Sequence, residues 1–215
     1  MSIKVTPMGN SRILSVGTYR PKRVVPNSEI VERIESTDEW IQQRTGIESR
    51  RFAGDDETVI SMAKAACEMA LERAKLTIAD IDTVILATIS YPFQAPSAST
   101  ELINELGNPK AAAFDISAAC AGFCYGVAMG SDLVRSGTSR NVLVIGVEKL
   151  SDYTDPDDRA TAFIFADGAG AVIIGQSDQP RIGQTIWGSD ADSRDAITLT
   201  PSFLDYKNNP DKGVG

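Results

Sequence analysis

The segment DTVILATIS, from Asp82 to Ser90, is apolar along a whole strand's length, without the alternation of a strand that faces water on one side. NVLVIGVE (Asn141 to Glu148) and GAGAVIIG (Gly168 to Gly175) repeat the pattern, and Ala111 to Ile116 is a further apolar run. Strands buried on both faces need helices above and below them, so the chain is expected to be α/β, with a mostly parallel sheet covered by helices. The intervening segments supply those helices. Val59, Met62, Ala66, Met69 and Ala70 recur at spacings of three and four, after an acidic opening at Asp55-Asp56-Glu57. Ser97 to Leu106 ends at Gly107, and Phe123, Val127, Gly130 and Val134 trace another stripe, with Ser131, Asp132 and Arg135 on its far side.

RILSVGTY, Arg12 to Tyr19, is expected to be the first strand. Two short helical segments follow, near Ser28 to Ile34 and Thr37 to Gln43, the second opened by the capping residues Thr37 and Asp38. After Pro180 the pattern thins: RIGQTIWGS is a candidate strand, while DADSRDA and NNPDKGVG are turn-rich. The chain stops at Gly215 without closing an element, which is expected to be an interruption.

Composition narrows the function. With 215 residues the chain can hold one large α/β domain or two small ones. A net charge of −8 argues against a nucleic-acid partner or an anionic membrane surface, both of which need clustered Lys and Arg. No signal-peptide pattern opens the chain, no apolar run approaches membrane length, and three cysteines do not form a disulfide framework, so a cytoplasmic setting is expected. There is no histidine, so neither a Ser-His-Asp nor a Cys-His pair can be completed within these residues, and no structural metal is expected.

Cys120 lies between the strand AAAFDIS and the helix AGFCYG. A side chain there faces the carboxyl edge of the sheet, where open α/β folds place ligands. It also meets a helix amino terminus, whose free N–H groups favour a thiolate. Ala118, Ala119, Ala121 and Gly122 would leave the sulfur open to a long, thin substrate. Cys67 and Cys124 are read as inert apolar fillers, and a Cys120/Cys124 dithiol is a competing reading.

FDISAACAGFCYG resembles the nucleophile motif of β-ketoacyl-acyl carrier protein synthase III; TDEWIQQRTGI (Thr37 to Ile47) and DRATAFIFADGAGAVIIG (Asp158 to Gly175) resemble its other hallmarks. The resemblance implies a thiolase-like fold of two similar halves, only the first present here, and a homodimer in the full-length protein. Residues 1–178 would form the half carrying the nucleophile, and 179–215 the start of the connection toward the second half.

It further implies that a short acyl group moves from acyl-coenzyme A to Cys120 and is condensed, with loss of carbon dioxide, with malonyl-acyl carrier protein, starting type II fatty-acid synthesis. No cofactor is implied; the coenzyme A thioester is a substrate. Trp40 and Arg159 would hold the adenine, and Arg44 and Thr45 the nucleotide or pantetheine end. Without the family, Trp40 is a core residue and the two arginines are surface charges. Asp167-Gly168-Ala169-Gly170 is read as a backbone crossing that only small residues allow. Ala95 stands where many relatives carry an aromatic that closes the acyl pocket, which implies a roomier pocket. The family's histidine and asparagine belong to the second half. Two other functions compete: a sibling condensing enzyme that primes polyketides or joins acyl chains, and a non-catalytic acyl-coenzyme A or carrier-protein binding domain.

Overall fold

The computed structural model describes residues 9–199 and Asn208. Its strands are β1 (Asn10–Tyr19), β2 (Arg23–Pro26), β3 (Ser49–Phe52), β4 (Thr83–Ala87), β5 (Ala112–Ile116), β6 (Asn141–Lys149) and β7 (Asp167–Ser177). β2 and β3 pair as a separate two-stranded sheet, and the other five form one sheet in the order β1-β7-β6-β4-β5. β4 is parallel to β5 and β6, whereas β7 is antiparallel to both β6 and β1. Four of the five strands therefore point one way, and β7 alone runs back. The segments 20–58, 88–97, 117–121 and 150–166 consequently all leave from, or return to, the carboxyl edge of those four strands.

The helices are α1 (Asp38–Thr45), α2 (Val59–Ala74), α3 (Ala98–Leu106) and α4 (Gly122–Arg135). The uninterrupted apolar runs are explained by their two partners. Val84, Leu86, Leu143, Ile145, Ala171 and Ile173 pack with α2 and α3, while Ile85, Val142, Val144, Val172 and Ile174 pack with α4. Each of these valine, leucine and isoleucine side chains contributes about 1.5–3 kcal/mol when withdrawn from water. A third cluster joins Val25, Ile30, Ile34, Ile41, Ala162 and Phe163 around α1 and the β2–β3 pair. No helix among the described residues is long and apolar enough to cross a membrane.

Several expectations are corrected. The acidic triplet does not open α2; Thr58 caps it in a reciprocal arrangement with Ser61, and Glu57 instead accepts from Tyr19 Oη (2.6 Å), Gly54 N (2.8 Å) and Lys22 N (3.1 Å). Ser28 to Ile34 forms only a single 3-10 turn at Asn27–Glu29 followed by turns: Ile30 and Ile34 are buried, but a run this short is below the length at which a helix sustains itself. Ser131 does not face away from the core: it is buried, and shares a 2.7 Å hydrogen bond with Ser11 of β1 that satisfies both hydroxyls. β5 is an edge strand of partly exposed residues, not a doubly buried one. RIGQTIWGS forms no strand, and its residues are largely exposed. NNPDKGVG lies outside the described residues, apart from Asn208.

α2 lies directly on β1. A Cβ at Gly17 would stand 2.0 Å from the carbonyl oxygen of Ala66 and 2.5 Å from the amide nitrogen of Ala70, both backbone atoms that cannot rotate away. Gly170 of β7 has nothing within 4 Å of the same position, so the expected need for small residues there does not hold at Gly170. Gly17→Ala should destabilise the chain by about 3 kcal/mol or more, and Gly170→Ala should stay within about 0.5 kcal/mol of the parent. Urea unfolding followed by circular dichroism checks both, and equal midpoints for the two variants would refute the packing argument.

Candidate active site

β5 ends at Ile116, and its continuation turns into α4 through a 3-10 turn at Ala119–Ala121. Cys120 is in this turn, between β5 and α4 and one residue before the helix cap Ala121. Ala119 has φ of 43°, in the left-handed region that non-glycine residues avoid. Such a residue stores about 1–3 kcal/mol and persists where neighbours over-determine the backbone, commonly at functional sites. No side chain caps the α4 amino terminus, and no acidic residue stands in its first turn. Ala121 N–H donates to Ala118 O and Gly122 N–H to Ala119 O within the 3-10 turn, so the positive end of α4 stands beside Cys120 with no acidic side chain offsetting it.

All three cysteines are free; Cys120 is exposed and Cys67 fully buried. Burial, with a smaller effect from Glu68, pushes the Cys67 thiol far above its ordinary range. Cys124 corrects the reading as a core filler: it is exposed, because it sits on the side of α4 turned away from the sheet.

The segment after β4 is held by two carboxylates that alternation alone did not single out. Glu148, at the end of β6, accepts from Ile89 N (3.0 Å), Thr88 Oγ1 (3.3 Å) and Ser90 Oγ. Burial raises its pKa, and the bonds from Ser90, Ile89 and Thr88 oppose the rise. Asp115 of β5 accepts from Ala98 N (2.7 Å) and Ser99 N (2.9 Å), closing the start of α3 together with the cap Ser97. Ala95 lies between these anchors and is exposed. Asp167, which sequence reading grouped with the following glycines, instead ties three segments: it accepts from Ala53 N (2.7 Å), Ser151 N (2.9 Å) and Ser151 Oγ (2.6 Å).

Trp40, Arg44 and Arg159 do come together. The guanidinium carbons of Arg44 and Arg159 lie 4.7 and 5.5 Å from the Trp40 ring centroid, within cation–π range. Phe163 meets the same indole edge-on at 5.3 Å and 78°. α1 presents Trp40 because Thr37 accepts from its backbone N–H (3.2 Å) and left-handed Gly46 ends the helix after eight residues. Arg159 projects from a turn organised by Asp158, whose carboxylate accepts from Ala160 N (2.9 Å) and Thr161 Oγ1. Thr45 is committed elsewhere: its hydroxyl donates to Ile41 O (2.7 Å) and accepts from Ile47 N (3.1 Å).

Cys120, Ala95 and the Trp40 cluster occur on four connections at one edge of the sheet, the cluster drawing Trp40 and Arg44 from 20–58 and Arg159 from 150–166. Phe163 and Glu148 escaped notice for different reasons. Phe163 lies in a segment without periodicity, and Glu148 looks like the polar end of a strand. Among the described residues no cluster of His, Cys, Asp and Glu side chains could hold a metal.

Residues 114–191, which include Cys120 and Arg159, match the family model of 3-oxoacyl-[acyl-carrier-protein (ACP)] synthase III. The β-ketoacyl-[acyl-carrier-protein] synthase III of Streptomyces glaucescens is 51% identical over 197 residues, covering 92% of this chain and 59% of its own length. Its counterpart 1 from Streptomyces avermitilis is 53% identical over 196 residues, 91% of this chain and 55% of its own. The crystal structure of a priming β-ketosynthase from a polyketide biosynthetic pathway superposes with a TM-score of 0.93 at 43% identity, covering 98% of this chain and 63% of that one. The 215 residues thus span less than two thirds of the relatives they match. Over nine-tenths of its residues the chain is similar to β-ketoacyl-acyl carrier protein synthase III, at 51–53% identity to these two relatives.

Proposed function

We propose that this chain carries the acyl-loading half of a decarboxylating condensing enzyme that starts type II fatty-acid synthesis. The observation that carries the reading is the shared sheet edge of the exposed Cys120 and the Trp40–Arg44–Arg159 cluster. The Cys120 thiolate attacks the thioester carbonyl of acyl-coenzyme A, forming a new carbon–sulfur bond; the old one breaks, and coenzyme A leaves as a thiolate that takes up a proton. Splitting a Claisen condensation into this exchange and a later carbon–carbon step is what covalent catalysis offers.

Trp40 and Arg159 are the two sides of an adenine slot in this reading. A ring stacked between them needs roughly 7 Å, two ordinary contact distances, against 5.5 Å between the Arg159 guanidinium carbon and the indole centroid. Arg159 is exposed, with no hydrogen bond or ion pair among the described residues, so it can swing outward by the difference. Arg44 holds the phosphates or the pantetheine arm, and Thr45 borders them while its hydroxyl stays bonded to Ile41 O and Ile47 N–H. Residues 179–215 are the start of the connection between halves, a homodimer is the assembly, the carrier protein delivers the malonyl group, and the setting is cytoplasmic. The 215 residues contain no histidine, so the condensation step, which the family assigns to a histidine and an asparagine, is not carried by these residues. The likeness to a priming ketosynthase favours one variant, a polyketide-priming enzyme of the same chemistry.

Iodoacetamide should label Cys120 and Cys124 in the folded chain and spare buried Cys67, while acetyl-coenzyme A should protect, and acetylate, Cys120 alone. Peptide mapping by mass spectrometry decides; protection of Cys124 instead, or of neither, excludes Cys120 as the acyl acceptor. Ala95→Phe should narrow the acyl pocket. Each methylene excluded from an apolar site is worth roughly 1 kcal/mol, so the ratio of loading rates for a branched five-carbon acyl-coenzyme A over acetyl-coenzyme A should fall about tenfold or more. An unchanged ratio removes Ala95 from the pocket.

A further inference from the structure

Arg50, in β3, is buried beside the Trp40 cluster at 6% exposure. Its Nη1 donates to Val25 O (3.2 Å), and its Nη2 donates to Asn27 Oδ1 (2.6 Å) and Phe163 O (3.2 Å). Its Nε has no hydrogen-bond partner, and no carboxylate pairs with it among the described residues. A cation withdrawn from water without an opposite charge is costly, and a neutral apolar residue would fill the same space at less expense in stability. Stability alone therefore does not account for an arginine here.

Its partners suggest what does. Phe163, whose carbonyl Arg50 holds, is the ring that meets Trp40 edge-on, and it follows Arg159 by one helical turn's length of chain. Asn27, held by the same Nη2, donates onward to Asp38 Oδ1 (2.5 Å) and to Ile47 O (2.7 Å), at the two ends of α1. One planar fork thus joins the segment bearing Arg159 to the helix bearing Trp40 and Arg44. Only a guanidinium offers several donors in a fixed plane that can serve such acceptors together.

We propose that Arg50 is a positioning residue for nucleotide recognition, setting the separation and register of Trp40 against the 159–163 segment so that the two sides of the slot stand ready. The inference rests on the adenine-slot reading above. Arg50 touches no substrate atom, and it acts through Phe163 and, by way of Asn27, through α1.

The test uses the 215-residue chain with Trp187→Phe, which leaves Trp40 as the only tryptophan. Coenzyme A, but not pantetheine, should change Trp40 fluorescence saturably. Arg50→Met and the milder Arg50→Lys should each raise the coenzyme A Kd about tenfold, while the iodoacetamide rate at Cys120 stays within about twofold of the parent. If coenzyme A leaves Trp40 fluorescence unchanged in the parent, the slot reading fails and this inference with it. If the parent binds and either variant, folded by circular dichroism, binds with the parent's Kd, the Arg50 inference alone is overturned. Loss of the fold in both variants also overturns it, since Arg50 would then be a support for the fold alone.

Discussion

Strands β4 and β6 are the constraint on which the rest depends. Each is apolar at every position along its middle, and successive residues enter opposite clusters: Leu143 and Ile145 meet α2 and α3, while Val142 and Val144 meet α4. A one-residue slip in the register between them would exchange the two sets and present each helix with the wrong surface. The parallel pairing Val84↔Leu143 and Ile85↔Val144 is therefore strongly selected by packing. Once it is set, the direction of β4, β5 and β6 determines which edge carries the connections. That edge holds Cys120, Ala95 and the Trp40 cluster.

Around this frame the site is assembled by polar anchors. Carboxylates at strand ends, Glu148, Asp115 and Asp167, accept backbone N–H groups from segments earlier in the chain, converting flexible connections into fixed ones. Each stands near the end of a strand, where the sheet's own hydrogen bonds stop and unpaired donors accumulate. Left-handed Ala119 is the local counterpart at the nucleophile, where the chain turns from strand to helix too sharply for a relaxed backbone.

Much of this was legible in the sequence. Continuous apolar runs placed the central strands to within three residues, Thr37 marked the start of α1, and Ser97 and Gly107 marked the bounds of α3. Cys120 was visible from its junction, and Trp40, Arg44 and Arg159 from motif resemblance. What escaped has physical causes. A run of acidic residues before a helix suggests a cap, but Glu57 found better donors across space in Tyr19 and Lys22. Ser131 looked solvent-facing until Ser11 arrived from 120 residues away. Arg50 carried no sequence signal, because an isolated arginine in a polar stretch resembles any surface charge. Its role depends on acceptors contributed by two distant segments, 25–27 and Phe163.

The reversal of β7 has an evolutionary consequence. Because β6 and β7 are antiparallel neighbours, the stretch 150–166 leaves the sheet and rejoins it at one edge, forming a closed excursion instead of a crossover. Insertions or deletions within it do not propagate into strand register, so the surface bearing Arg159 can diverge among descendants while the frame stays constant. The Cys120 junction has no such freedom. It links an edge strand to a helix packed against the sheet, and any change in its length would rotate α4 on its bed of valines and isoleucines. Within one architecture, the nucleophile is thereby tied to the most conservative geometry and the recognition surface to the most malleable.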